Sequence, residues 1–349
     1  MDAILSPRRR TLMLGMGALA LGGCGRAPGT VESPRYLHLG GSTMGSTYNV
    51  RLRAPERDAA TLRAVIQAAL DDVDDRMSMF QPQSELSSLN RAAPGTPVTL
   101  SNELYEVLSA AQEVSRWSGG AFDITVAPLV EQWGFGTRAS RRVPAPAAVA
   151  AERRRVDWRS LALDADRRTV VKRHAGLQAD LGGIAKGYGV DRAAAALEAR
   201  GVQDYMVEVG GEVRTRGVNA AGHAWRIGIE EPDAMPQRAR WVVPLTGRAM
   251  ATSGDYRNYF LEDGQRYSHE IDPLAGVPIR HGLCSVTVVA DDCMRADALA
   301  TALIVLGADH GRALAERSGI AAQFIERLPG GGYRDTVTPA FAALEAERA

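Results

Sequence analysis

Tyr205-Met206-Val207-Glu208-Val209-Gly210-Gly211-Glu212-Val213-Arg214-Thr215 is the stretch that decides the fold. Two short runs of strand-forming residues flank a glycine pair, and glycines accept the positive φ angles of a tight turn. The reading is strand, turn, strand, with no helix between. Upstream, Asp180-Leu181-Gly182-Gly183 opens a helix that ends at Arg200-Gly201, and Trp158 to Lys172 predicts a hairpin centred on Asp164-Ala165-Asp166. Downstream, His223 to Ile229 and Trp241 to Leu245 read as strands, as does Ser285 to Ala290. Ala296 to Leu306 follows as a helix stopped by Gly307, and Gly319 to Glu326 with the segment near Tyr333 closes a sheet.

The N-terminal half supplies most of the remaining helices. Tyr36 to Leu52 predicts a strand broken by Gly40-Gly41 and Gly45, and Pro55 to Met77 a helix whose apolar residues Leu62, Val65, Ile66, Ala69, Leu70 and Val73 recur at helical spacing. Ser84 to Asn90 reads as a polar turn. Ser101 caps a helix running to about Trp117, which Gly119-Gly120 ends. Phe122 to Trp133 is apolar, and Gly134 to Val149 is a surface loop entering a short helix. Strict βα alternation is missing, so the fold class is α+β, with mixed or antiparallel sheets and packed helices in one domain rather than a doubly wound sheet.

Composition narrows the function. Lys and Arg total 41, Asp and Glu total 41, and aromatic residues are 6%. A nucleic-acid partner is not expected from so even a balance. Arg8-Arg9-Arg10 precedes the apolar run Thr11 to Leu21, which ends in Leu21-Gly22-Gly23-Cys24. That order reads as an export signal of twin-arginine type over residues 1–23, cut before a cysteine that would carry lipid. Residues 24–35 then form a flexible tether, and residues 36–349 the folded domain. Removing residues 1–23 takes away three arginines and one aspartate, leaving 38 basic and 40 acidic residues, a net charge near −2. Cys284 and Cys293 flank a strand-like segment, and two cysteines make no disulfide framework, so buried thiols are expected.

Three stretches carry candidate chemistry. Asp180 to Tyr188 places glycines before a helix with Lys186 in its first turn, and amides at a helix start favour phosphate. Asp297 and Thr301 are four apart on one helix face, a carboxylate and a hydroxyl suited, with a backbone carbonyl, to Mg²⁺. An ordinary reading stands beside it: Asp297 as a cap and Thr301 bonded back to a carbonyl. Ala251 to Tyr259 with Tyr267 to Pro273 gathers reactive side chains, among them His269, one of six histidines and a candidate proton acceptor. Ser253 lacks the Gly-x-Ser-x-Gly elbow of a serine hydrolase.

These stretches together resemble the ApbE family, the FAD:protein FMN transferases. The likeness covers about residues 38–310 in order. It takes in Gly41-Ser42-Thr43-Met44-Gly45, Met77-Ser78-Met79-Phe80, Gly119 to Val130, Trp133-Gly134-Phe135, Asp180 to Tyr188, Glu208 to Glu212, Ala251 to Asn258, Ser268 to Pro273 and Ser285 to Thr301. It implies a single ApbE-type, T-fold-like domain that holds FAD in an elongated cleft with Mg²⁺ at the pyrophosphate. By that resemblance Met44, Phe80, Ala121, Phe122, Asp123, Asp180, Lys186 and Ile271 contact FAD. The Gly183 carbonyl, Asp297 and Thr301 hold the metal, and His269 is the base, with Asp255 second and Lys186 stabilising charge. Phe80 stands where many relatives carry Tyr, and Gly182-Gly183 where some carry Ser-Ala.

The implied reaction is Mg²⁺-dependent transfer of FMN from FAD to an acceptor threonine, with FAD a substrate. The acceptor motif resembles Asp-x-x-Ser/Thr-Gly/Ala-Ala/Ser-Thr. The implied partners are flavinylated membrane redox subunits, such as those of sodium-pumping quinone reductase or Rnf-type complexes. They would be met on the periplasmic side of the cell membrane through lipidated Cys24, the inner membrane ranked ahead of the outer. Two other readings use the same residues: an FAD pyrophosphatase giving FMN and AMP, and a non-catalytic FAD-binding lipoprotein.

Overall fold

Alternation of buried and exposed residues begins with the first hairpin. β1 (Arg35–Thr43) and β2 (Ser46–Ala54) pair antiparallel, and Tyr48, Val50 and Leu52 point to one face while Asn49 and Arg51 point to the other. The hairpin turns at Met44 and Gly45, with φ of 44° and 67°. Gly40 and Gly41, expected to break the strand, lie within β1 because the ring of Tyr48 fills the space a side chain at Gly41 would need. The computed structural model describes residues 35–137 and 140–348. The signal, Cys24 and nearly all of the tether lie outside the described residues.

The helices α1 (Ala59–Met77) and α2 (Glu85–Arg91) follow. α2 corrects the polar-turn reading of Ser84 to Asn90: the Ser84 hydroxyl accepts from the Ser87 amide at 2.9 Å, and Leu86 and Leu89 are buried. A serine that looks like turn chemistry is here an N-cap. After β3 (Val98–Thr99) comes α3 (Asn102–Trp117), capped by Ser101 as expected, then α4 (Ala127–Gln132) and α5 (Pro146–Arg153). β4 (Leu161–Asp164) and β5 (Thr169–Lys172) form the predicted hairpin, and α6 (Ala185–Glu198) follows.

The deciding stretch is β6 (Tyr205–Val209) and β7 (Glu212–Arg216), antiparallel across Gly210 and Gly211, with φ of 60° and 107°. Next are β8 (Trp225–Glu230), β9 (Ala239–Leu245) and β10 (Ala249–Gly254). β10 was not legible as a strand, because Ala, Ser and Gly carry little strand signal and Thr252 is its one β-branched residue. Two small hairpins come next, β11 (Tyr259–Glu262) with β12 (Gln265–Ser268), and β13 (Ile271–Asp272) with β14 (Val277–Pro278). β15 (Leu283–Ala290) leads into α7 (Cys293–Arg317), and β16 (Ala321–Arg327), β17 (Tyr333–Val337), α8 (Pro339–Ala342) and β18 (Glu347–Arg348) complete the chain. Gly307 interrupts α7 with φ 78° and ψ 174°, so it ends one helical run as predicted, but a second run continues to Arg317.

The large sheet has the order β1-β2-β6-β7-β10-β15-β16-β17, and every ladder in it is antiparallel. The helices α1, α6 and α7 cover one face. Part of the other face is covered by a three-stranded sheet, β18-β9-β8, through a core that includes Val213, Met250, Ile227 and Val243. The third sheet, β3-β5-β4, belongs to a separate cluster around α3. This is the expected α+β class, with antiparallel ladders in all five sheets. Cys284 and Cys293 are both buried and unbonded, as expected, and burial pushes the Cys284 thiol up to about 12.

Candidate active site

The candidate site begins where two helices meet. Gly187 on α6 lies so close to α7 that a Cβ there would come within 2.3 Å of the Cys293 carbonyl oxygen. Only glycine permits that approach. Two carboxylates lock the contact in opposite directions. Asp297 on α7 accepts the Gly187 amide of α6 at 3.0 Å. Asp191 on α6 accepts the Cys293 amide at 2.9 Å and the Met294 amide at 2.9 Å, while Arg214 of β7 donates to it. Asp292 takes the next amide, Arg295, at 2.8 Å. The first three amides of α7 are thus all satisfied by carboxylates, which the positive end of a helix favours.

This corrects one expectation. The sequence predicts free amides for phosphate at the start of α6. Its Ala185 amide instead donates to the Leu181 carbonyl at 2.8 Å, and Gly187 is committed to Asp297. Positive charge comes from Lys186 itself. Its ammonium pairs with Glu212, which enters from β7 directly after the glycine turn and is 2% exposed. Burial pushes the Glu212 carboxyl up to about 7, while Lys186 pulls it down; Lys186 is held in its cationic form by Glu212 and Asp297 despite its own burial. The second Glu212 oxygen, Oε2, is buried with no partner among the described residues. Sequence reasoning gave Glu212 no role. The signal was a carboxylate set directly behind the glycine turn of the hairpin.

The three candidate metal ligands converge. Asp297 is 3% exposed, and burial pushes its carboxyl upward. One of its oxygens takes the Gly187 amide, leaving the other. Thr301 lies one turn further along, and its hydroxyl meets Ser253 Oγ at 3.1 Å instead of bonding back along the helix. A Cβ at Gly183 would sit 3.0 Å from Thr301 Oγ1 and 3.3 Å from the Phe122 ring, so the Gly183 backbone lies against Thr301. No group of three His, Cys, Asp or Glu residues able to hold a metal occurs among the described residues. One carboxylate, one hydroxyl and one carbonyl form a set of hard oxygens that fits Mg²⁺, which keeps waters and shares substrate phosphates rather than filling a protein cage.

These residues line a single cleft of about 970 Å³. Met44, Phe80, Ala121, Phe122, Asp123, Asp180, Lys186 and Ile271 all line it, as do Gly183, Asp297, Thr301 and His269. Phe80 stands 62% exposed, whereas Phe122 is buried. Asp123 uses its carboxylate on the Thr125 amide and hydroxyl, each at 2.7 Å, and on the Trp158 amide at 3.0 Å, so it shapes the wall. Asp180 caps its own turn, accepting from the Gly182 amide at 2.8 Å, and burial pushes its carboxyl up. His269 is half-exposed; its Nδ1 lies 3.2 Å from the Asn258 carbonyl and its Nε2 3.6 Å from Glu270. Asp255 does not line the cleft. Arg327 holds both of its oxygens at 3.1 Å and Arg266 stands 3.9 Å away, so its lone pairs are committed to guanidinium groups. The second candidate for the base is withdrawn on that geometry.

The ApbE family profile matches residues 44–324, which include every residue of this cleft except His38. The chain belongs to the ApbE family. It is 40% identical over 327 residues to a FAD:protein FMN transferase of Vibrio cholerae, covering 93% of this chain and 95% of that protein. The fold agrees with the solved ApbE flavin transferase of Vibrio cholerae at a TM-score of 0.82 and 38% identity, over 89% of this chain and 99% of that one. The flavinyl transferase ApbE of Pseudomonas stutzeri, in its apo form, agrees at 0.81 and 39%, over 90% of this chain and 98% of that one. Such coverage makes the body described here an ApbE domain over nearly its whole length.

Proposed function

We propose that this ApbE-family chain transfers the FMN part of FAD to a threonine hydroxyl of an acceptor protein. The observation that carries the reading is the convergence of Gly183, Asp297, Thr301, Lys186 and His269 on one cleft whose volume suits a dinucleotide. The acceptor Oγ attacks the FMN-side phosphorus. The bond from that phosphorus to the bridging oxygen breaks, AMP leaves with the oxygen, and the threonine proton passes to a base. The Gly183 carbonyl, Asp297 and Thr301 would hold Mg²⁺, which when bound would supply charge withdrawal and alignment at the pyrophosphate.

The protein's own groups do the rest. Lys186 brings a fixed positive charge beside the phosphates, and Glu212 keeps its ammonium in place. A carbonyl can only accept, so the hydrogen bond to Asn258 puts the neutral ring's proton on His269 Nδ1. Nε2 then carries the free lone pair that a base needs. The Glu270 carboxyl oxygen lies 3.6 Å from that nitrogen. Phe122 and Ile271 exclude water along the buried wall.

The setting is also a proposal. The basic N-terminus, apolar run and Leu21-Gly22-Gly23-Cys24 support export and a lipid anchor. Acceptors would be membrane redox subunits facing the periplasm, of the sodium-pumping quinone reductase or Rnf type. The test is to incubate the full-length protein in detergent with FAD, Mg²⁺ and a protein bearing the acceptor motif. Intact mass should rise by one FMN, and the gain should vanish with EDTA or a Thr→Ala acceptor. His269→Ala should slow labelling by about 10²- to 10⁴-fold while FAD still binds. AMP and free FMN without labelling would assign a pyrophosphatase. FAD bound and unchanged would assign a binding protein.

A further inference from the structure

One wall of the cleft carries none of the roles above. It includes His38, Arg51 and Met206, which stand in register across β1, β2 and β6, and Arg226 and Gly228 of β8. The three-stranded sheet covers the large sheet over Val213, Met250 and Val289 but leaves His38 and Arg51 exposed. β8 is the edge of that small sheet, and Trp225 at its start meets Tyr36 of β1 edge-on at 6.1 Å. The unpaired edge of β8 therefore borders the uncovered shelf of β1, β2 and β6.

The register shows which backbone groups that edge presents. Arg226 lies opposite Pro244, Ile227 opposite Val243, and Gly228 opposite Val242. Proline has no N–H, so Arg226–Pro244 is a pair that exchanges no ladder bonds, and pairs alternate along an antiparallel ladder. Arg226 and Gly228 thus direct their N–H and C=O groups away from β9, toward the shelf. No other backbone hydrogen bond to either residue occurs among the described residues. Gly228 adds no side chain to obstruct that edge. Across the shelf, no ion-pair partner for the Arg51 guanidinium occurs among the described residues, whereas Arg226 pairs with Glu347 and Asn49 with Glu208.

The geometry points to the β8 edge as the docking track of the acceptor polypeptide: an extended segment adds as a strand beside Arg226 and Gly228, with an acidic side chain facing Arg51. The inference rests on the transfer reading, which requires a protein chain to enter this cleft. Strand addition places a backbone by its hydrogen bonds and leaves side chains to set specificity, and it delivers a neighbouring hydroxyl into the same cleft without using any FAD contact.

Gly228→Pro removes the outward N–H and keeps the inner ladder, since that amide does not serve β9 and the residue has no positive φ. With FAD, Mg²⁺ and the motif-bearing acceptor, its acceptor KM should rise about three- to tenfold with kcat little changed. Arg51→Glu should raise the acceptor KM about tenfold by reversing the charge. FAD affinity, read by flavin fluorescence, should match the unaltered protein in both. Should Gly228→Pro lose FAD binding and hence its fold, Arg51→Glu decides alone. Unchanged acceptor KM in the folded variants overturns the track. An unaltered protein that binds FAD but labels no acceptor overturns the transfer reading itself, and the track with it.

Discussion

Glu212 is the residue whose chemistry depends most on where the fold puts it. In water its carboxyl would ionise near 4.5, but burial lifts it to about 7 even beside Lys186. The folded chain therefore binds this proton more tightly than the unfolded chain. By linkage, stability from this group is fully present below pH 4.5 and is lost as pH rises toward about 7. The span is worth on the order of 3 kcal/mol. Glu212→Gln removes the slope. Melting curves from pH 5 to 8 should show the unaltered protein losing stability relative to Glu212→Gln as pH rises; a constant difference would contradict the assignment. Lys186 and Glu212 are 26 apart in the chain. Lys186 was visible in the sequence as a charge at a helix start, but its partner was not, because no local pattern links them.

At the scale of elements, α6 and α7 are held by an exchange of carboxylates. Asp297 reaches back to Gly187, and Asp191 reaches forward to Cys293 and Met294. Hydrogen bonds to charged groups contribute about 1.5–3 kcal/mol each, more than the surface ion pairs elsewhere on the molecule. The exchange fixes how far α7 slides along α6, and with it the separation of the Gly183 carbonyl from Asp297 and Thr301. Asp191 does not line the cleft, yet by this exchange it positions the proposed ligands. Asp191→Asn keeps the size and loses the charge. Mn²⁺ binding in the presence of FAD should weaken by about 10- to 100-fold, the usual cost of disturbing groups that orient metal ligands. Equal Mn²⁺ affinity with only a lower melting temperature would reduce Asp191 to a helix cap.

Over the whole molecule, the cleft collects residues from His38 to Val305. A ligand that fills it bridges the first hairpin, α6, β10, β13 and α7. FAD with Mg²⁺ should therefore stabilise the body as one unit. At about 100 times the dissociation constant the gain is about 2.7 kcal/mol, a rise in melting temperature on the order of 5 °C. FAD with EDTA should give a smaller rise. An equal rise with and without the cation would show that Gly183, Asp297 and Thr301 do not couple metal to flavin nucleotide.

The sequence by itself determined the α+β class, the Gly210-Gly211 hairpin, the helices that carry Lys186 and Asp297, and the family. Those follow from local periodicity, turn chemistry and an ordered set of motifs, each confined to a few neighbouring residues. It also brought Asp297 and Thr301 to one helix face, because four residues make about one turn. Only the tertiary structure decided that Glu212 holds Lys186, that Asp191 and Asp297 exchange caps, that Asp255 belongs to Arg327, and that the β8 edge borders the cleft. Those outcomes depend on which strands become neighbours and which helices meet at glycine, and such long-range packing sets the burial and charge that give each side chain its role.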